Sequence, residues 1–183
     1  ARLIPTVSAR VAQALDGAVE VDVIDLAEVG LPFFDEPESP MSGSAPVNAH
    51  TRVWAERVAG LDGFVIVTPE YNGSIPPLLK NVIDWVSRIS RDGDRPLKAY
   101  ANKAVALGSS STGNFAGIRA IIHLRAVLSH IGLQVISEQV SVPKAQEAFD
   151  GMDRLADERV RQNLERTVKS LAEHAAFQAG KRA

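Results

Sequence analysis

Gly63 to Arg88 reads GFVIVTPEYNGSIPPLLKNVIDWVSR. The stretch opens with an apolar, β-branched run from Phe64 to Thr68, turns through Pro69 to Ser74, and closes with a patterned run behind Pro76 and Pro77. It predicts strand, loop and helix, with the two prolines in a first helical turn, where a missing N–H costs nothing. Phe64, Val65, Ile66 and Val67 are continuous rather than alternating, so the strand is expected to be buried on both faces, as in a parallel sheet covered by helices on each side. The loop at the carboxyl end of such a strand is where open α/β sheets take their ligands.

Working outward toward the amino terminus, Leu3, Val7, Val11, Ala14 and Leu15 recur at helical spacing and stop at Asp16-Gly17, predicting a helix from Leu3 to Leu15. Glu20 to Leu26 alternates, with Val21 and Val23 against Asp22 and Asp25, as a strand nearer a sheet edge would. Glu28 to Val47 carries Pro32, Pro37, Pro40 and Pro46 without a sustained period and reads as a long loop with Leu31, Phe33 and Phe34 turned inward. Loops of that length are more often functional or mobile than incidental, which allows a role over the active site. A helix is expected from an Asn48 N-cap to Ala59, with Val53, Trp54 and Val58 facing the core.

On the carboxyl side, Arg91-Asp92-Gly93-Asp94-Arg95-Pro96 is a connection, Lys103 to Ser109 a buried strand, and Gly108 to Gly117 a second Gly/Ser-rich loop. Gly117 to Ile131 is expected as helix, Gln134 to Val140 as strand, and Asp153 to about Ala179 as a long final helix. Helix and strand alternate throughout, which predicts an α/β fold with a doubly wound parallel sheet. With neither repeat nor linker, residues 1–183 are expected to form a single domain.

Composition bounds the function. The chain has 183 residues, 45% hydrophobic and 23% charged, with a net charge of −2, which gives no electrostatic case for nucleic acid or an anionic membrane. A small-molecule partner is expected. There is no cysteine, which excludes disulfides, thiolate catalysis and cysteine-ligated metals. His50, His123, His130 and His174 lack metal-ligand spacing, so no metal site is expected. No apolar run approaches the roughly 20 residues of a membrane span and the first residues lack a signal-peptide pattern, so no membrane association and a cytoplasmic location are expected.

The run Pro69-Glu70-Tyr71-Asn72-Gly73-Ser74-Ile75-Pro76, followed by Leu79-Lys80-Asn81 and Ile83-Asp84-Trp85, resembles the signature of the NAD(P)H-dependent FMN reductases. These are flavodoxin-like enzymes that include quinone, azo-dye and chromate reductases. In that family the loop matching Pro69 to Gly73 lies along the flavin ring, so the resemblance implies FMN as cofactor, with Pro69, Glu70, Tyr71, Asn72, Gly73 and Ser74 against it. Ser109-Ser110-Ser111-Thr112-Gly113-Asn114, with Gly117, Arg119 and Leu124-Arg125 behind it, is similar to the family's second flavin-side loop and implies contacts from Ser110, Ser111 and Gly113. NADPH or NADH is the implied donor, and a quinone, azo compound, free flavin or similar small molecule the implied acceptor. Alternatives are a flavodoxin-like electron carrier, which is usually strongly acidic, and a flavin-free structural or regulatory relative.

Flavin chemistry asks little of side chains, because the ring accepts and passes on electrons while the protein supplies position and electrostatics. The site needs backbone donors near the pyrimidine edge and an apolar wall that leaves one face open. Gly73 allows close backbone approach and Tyr71 offers the wall. No residue need be catalytic, and Glu70, with no histidine beside it in sequence, is expected to line the loop rather than carry a proton.

The resemblance implies a five-stranded sheet in the order 2-1-3-4-5, yet the chain opens at Ala1-Arg2-Leu3, already in a helical pattern. A first strand and the loop that grips the FMN phosphate are expected in about twenty residues ahead of Ala1. The apolar stripes Leu78, Val82, Trp85, Ile89 and Leu79, Ile83, Val86 span an arc of roughly 160° at about 100° per residue. The helix around Leu124 is broader still. A surface helix needs about 100° for its own core, so the excess predicts a subunit interface, and the family is dimeric or tetrameric: a homodimer or homotetramer is expected.

Overall fold

The computed structural model describes residues 19–35, 49–88, 99–150 and 154–182. Within them lie three strands, β1 (Gly63–Pro69), β2 (Ala104–Ser110) and β3 (Gln134–Val142), and four α-helices. The helices are α1 (Ala49–Gly60), α2 (Pro77–Arg88), α3 (Ile118–His130) and α4 (Glu158–Arg182). The strands form a parallel sheet in the order β1-β2-β3.

Alternation along β2 sorts the helices into two layers. Val105 and Leu107 point into a core shared with Val58 of α1, Val82 and Val86 of α2, and Ile121, Leu124 and Leu128 of α3. Ala104 and Ala106 face the opposite side, where Leu171 of α4 packs, and Leu164 and Val168 of the same helix close over Val140 and Val142. Successive strand residues serve opposite faces, so two unlike layers are built on one strand. This is the doubly wound, flavodoxin-like α/β arrangement.

β1 differs from its expected burial. Phe64 to Val67 are half-buried, whereas Ala104 to Leu107 of β2 are at most 1% exposed. The reason is position: β2 has ladders on both sides, and among the described residues β1 has one only on the side of β2. Its other edge is where the order 2-1-3-4-5 places a first strand. Glu20 to Leu26, expected as a strand, is not one. Residues 20–25 join no ladder, and Leu26–Glu28 is a 3-10 turn whose N-cap, Asp25, accepts from the Ala27 N–H at 2.9 Å. In that order a second strand pairs with the first, and none of the three strands described occupies that place. Val21 and Ile24 still pack inward, on opposite layers, while Val23 is half exposed.

The expected helix at Leu3 to Leu15, the Asn48 N-cap and the Arg91 to Pro96 connection lie outside the described residues. In α1, Ala55 and Val58 are buried and Trp54 is partly buried, but Val53 is turned out, 61% exposed. Phe33, expected inside, is 84% exposed. Its neighbours carry the packing instead: Leu31 joins the core and Phe34 meets Trp85 edge-on at 5.2 Å between ring centroids.

That contact belongs to a clamp. The Trp85 indole N–H and the Asn81 amide both donate to the Pro32 carbonyl, at 2.8 and 2.9 Å, and Asn81 Oδ1 accepts the Phe34 N–H at 2.7 Å. The start of the long loop therefore covers Trp85, in the first apolar stripe of α2, and Ile83, Trp85 and Val86 are buried within the subunit. On α3, Ile121 is likewise 1% exposed. The broad apolar arcs are mostly filled by this chain itself, and the outward remainder on these two helices is Leu78 and Ile122.

At β3, the register slips between Val105/Leu107 on β2 and Val135/Gln139 opposite. Arg125 of α3 reaches this irregular stretch, donating to the backbone Ile136 O at 2.8 Å, an acceptor that a regular ladder would otherwise satisfy, and to the side-chain Gln139 Oε1 at 3.0 Å. At the amino end of the sheet, the buried Lys103 ammonium donates to Val58 O at 2.8 Å and to Ala59 O, capping the last turn of α1 where a cation opposes the helix dipole.

Candidate active site

Parallel pairing brings the two Gly-containing loops side by side. Pro69, the last residue of β1, stands opposite Ser110, the last residue of β2, so both chains leave the sheet at the same carboxyl edge. Pro69, Glu70, Tyr71, Asn72, Gly73 and Ser74 all lie in or at the first loop, and Ser110, Ser111 and Gly113 in or at the second.

The first loop is a tight turn. Tyr71 N–H donates to Ser74 O at 2.9 Å and Ser74 N–H to Tyr71 O at 3.0 Å, while Asn72 and Gly73 both take positive φ, 50° and 80°. This is the Asn-Gly pattern of a type I′ turn, in which both central residues need the left-handed region. The turn presents Tyr71 outward, 57% exposed. Among the described residues the N–H groups of Asn72 and Gly73 have no partner within the chain, which leaves them as donors for a ligand.

Glu70 points the other way. Its carboxylate is 7% exposed and accepts from Arg119 Nε at 2.8 Å, from Arg119 Nη2, and from the Arg119 backbone N–H at 3.1 Å. The need arises at the start of α3, whose N-cap is Gly117, a residue with no side chain to accept the first-turn N–H groups. Gly117 is required there, at φ 80° and with a Cβ position 2.8 Å from Ser109 Cβ. Glu70 supplies the missing acceptor from the neighbouring loop and meets the positive end of the helix. The Arg119 guanidinium, and the backbone N–H groups of Arg119 and Ala120, hold the Glu70 carboxyl below its ordinary range. A carboxylate so held is a poor proton donor at neutral pH.

The other end of the turn is tied as well, since Ser74 Oγ lies 3.0 Å from His123 Nδ1. The second loop is braced from β3. Ser111 N–H donates to Val142 O at 3.1 Å and Ala145 N–H to Ser111 O at 3.0 Å, while Gly113 O accepts from Lys144 N–H at 3.4 Å. Within that loop, Ser109 Oγ donates to Ala116 O at 2.6 Å and Ser111 Oγ accepts the Gly113 N–H at 3.2 Å.

The structure thus brings every expected site residue to one edge, where the Glu70 side chain is tied to Arg119. Leu124 and Arg125, grouped with the second loop, lie elsewhere, in the core and at the β3 irregularity. The anchors Arg119 and His123 were not legible as such. The available signal was the uncapped glycine at 117, since a helix starting there needs an acceptor from outside. Among the described residues no group of three His, Asp or Glu is placed to hold a metal ion, and no helix is long and apolar enough to cross a membrane.

The donors and open turn at this edge suit the ring of a flavin: a Gly73 with no side chain, unpaired N–H groups at Asn72 and Gly73, and an aromatic at the lip. The fit concerns the ring alone. A parallel sheet with helices on both faces and Gly-containing loops gathered at the carboxyl edge is the arrangement of the doubly wound α/β class, of which the flavodoxin-like folds are members.

Comparison with known proteins gives the family. Residues 1–147 match the model of the NADPH-dependent FMN reductases. The chain is 32% identical over 150 residues to an NAD(P)H-dependent FMN reductase from Pseudomonas aeruginosa, covering 81% of this chain and 76% of the relative. It is 45% identical over 84 residues to a quinone reductase of Escherichia coli K12, covering 46% of this chain and 42% of the relative. In three dimensions it is similar to the flavoenzyme NAD(P)H:(acceptor) oxidoreductase of Paracoccus denitrificans, with a TM-score of 0.74 at 21% identity, over 96% of this chain and 91% of that one. The chain belongs to the NADPH-dependent FMN reductase family, a family of oxidoreductases.

Proposed function

We propose that this protein is an FMN-dependent NAD(P)H oxidoreductase that delivers electrons to a quinone or a comparable small acceptor. The observation that carries the reading is the pairing of Pro69 with Ser110, which sets the Tyr71–Ser74 turn and the Ser111–Gly113 loop side by side at the carboxyl edge of the sheet. Family membership supports the cofactor and the donor, and the names of the relatives support quinone; azo compounds and free flavin are the wider acceptor class.

When bound, FMN supplies the acceptance of hydride and its release as electrons. The chain's part is position. Asn72 and Gly73 would offer N–H groups to the flavin, Tyr71 and Ser74 would border it, and Pro69, Ser110, Ser111 and Gly113 would hold it from between the loops. Glu70 holds the turn through Arg119 and moves no proton. With FMN held between the two loops, donor and acceptor would use the site in turn, a ping-pong cycle. The exposed apolar residues Tyr71, Leu78, Phe115 and Ile122 support a homodimer or homotetramer with the site near the subunit boundary. A cytoplasmic location agrees with the soluble cofactors.

Anaerobic mixing of the FMN-loaded full-length protein with NADPH, followed by addition of a quinone, tests the reading. Loss of the flavin's visible absorption on NADPH and its return with the quinone are expected. A protein that binds FMN without being bleached is an electron carrier, and one that binds none is a flavin-free relative; either result overturns the proposal.

A further inference from the structure

Arg119 is half exposed, yet three parts of the carboxyl edge meet on it. Its Nε and Nη2 donate to one oxygen of Glu70 in the first loop, and its own backbone N–H donates to the other. Its guanidinium carbon lies 5.2 Å from the ring centroid of Phe115, which belongs to the second loop and is 69% exposed. A Cβ at Gly73, on the turn itself, would stand 3.9 Å from Arg119 Nε. Without Arg119, the Glu70 carboxylate would keep a single backbone donor from that residue and Phe115 would lose the plane it lies against.

We propose that Arg119 is a positioning residue that fixes the two loops relative to each other, through Glu70 on one and Phe115 on the other. The assignment rests on the reading of these loops as the flavin side of the site. The guanidinium suits the task because it is planar and rigid: it can bind the carboxylate through two of its nitrogens while its carbon stays over an aromatic ring, which a lysine ammonium does less well. A turn held in this way is organised before the cofactor arrives, so binding does not have to order it. His123, on Ser74, steadies the far end of the same turn.

The test compares wild type with Arg119→Ala, Arg119→Lys, Glu70→Gln and the double variant Glu70→Gln/Arg119→Ala, all as full-length protein. Hydrogen exchange on the flavin-free protein reads the turn directly. The Tyr71 and Ser74 amides, which bond across it, are expected to exchange at least tenfold faster in Arg119→Ala, with β2 amides unchanged. FMN titration is expected to show affinity at least tenfold weaker in Arg119→Ala, part of the loss recovered in Arg119→Lys, and a double variant no weaker than the weaker single one. A uniform rise in exchange across the sheet, unchanged exchange at Tyr71 and Ser74, or additive losses in the double variant would overturn the proposal. So would faster exchange accompanied by wild-type FMN affinity. If wild type itself binds no FMN, the functional reading fails on its own, and the exchange result still decides whether Arg119 holds the turn.

Discussion

Glu70 shows how little a residue's place in a motif says about what its side chain does. The motif places it in the loop after β1, and it is there, but the uncapped start of α3 holds its carboxylate against Arg119. Its pKa is lowered by Arg119, so the ion pair contributes stability that is fully present above the carboxyl's ordinary value, about 4.3, and is lost as pH falls through the lower folded value. A carboxyl-carbon NMR titration should therefore give Glu70 a midpoint below that of a free glutamate, rising in Arg119→Gln. A midpoint at or above the ordinary value in wild type would show that the pair does not form in solution. It follows that FMN binding should not change between pH 8 and 6 on account of Glu70.

Among the elements, α2 was legible in outline and misleading in detail. Pro76-Pro77 and the apolar spacing located it, but the width of its apolar arc was read as surface for a partner. The periodicity of a helix reports how much of it is covered, not by what. Here Pro32 and Phe34 of the same chain do the covering, through Asn81 and Trp85, from a segment with no period of its own. Trp85→Phe removes one of two donors to Pro32 O and should cost about 1 kcal/mol in a denaturant melt. A loss above about 3 kcal/mol would point to packing rather than the hydrogen bond. The same reasoning separates two neighbours on α3. Ile121→Asp buries an unpaired charge in the core and should leave the protein unfolded or destabilised by more than about 4 kcal/mol. Ile122→Glu, on the exposed face, should melt within about 0.5 kcal/mol of wild type yet lower the assembly state in sedimentation. An Ile122→Glu protein that sediments as wild type would remove this face from any interface.

At the level of the whole molecule, the sequence was readable wherever a pattern was local. Alternating helices and strands gave the layered fold, and the carboxyl-edge rule placed both loops correctly, because both depend on residues close in the chain. Residues distant in sequence were not readable: Glu70 with Arg119, Ser74 with His123, and Ser111 with Ala145 are brought together only by parallel pairing of β1, β2 and β3. Glu20 to Leu26 failed for a related reason, since alternation marks a segment able to pair but does not provide its partner. Gly73 is the residue at which fold and function separate most cleanly. Its φ of 80° disfavours any side chain, and a Cβ there would meet only the Arg119 side chain at ordinary contact distance, so Gly73→Val strains and crowds the turn while leaving sheet and core untouched. FMN titration of full-length Gly73→Val against wild type is therefore the most direct test that the flavin lies on this turn. At least tenfold weaker binding with a cooperative, near wild-type melt is predicted; equal affinity in the two proteins would contradict it.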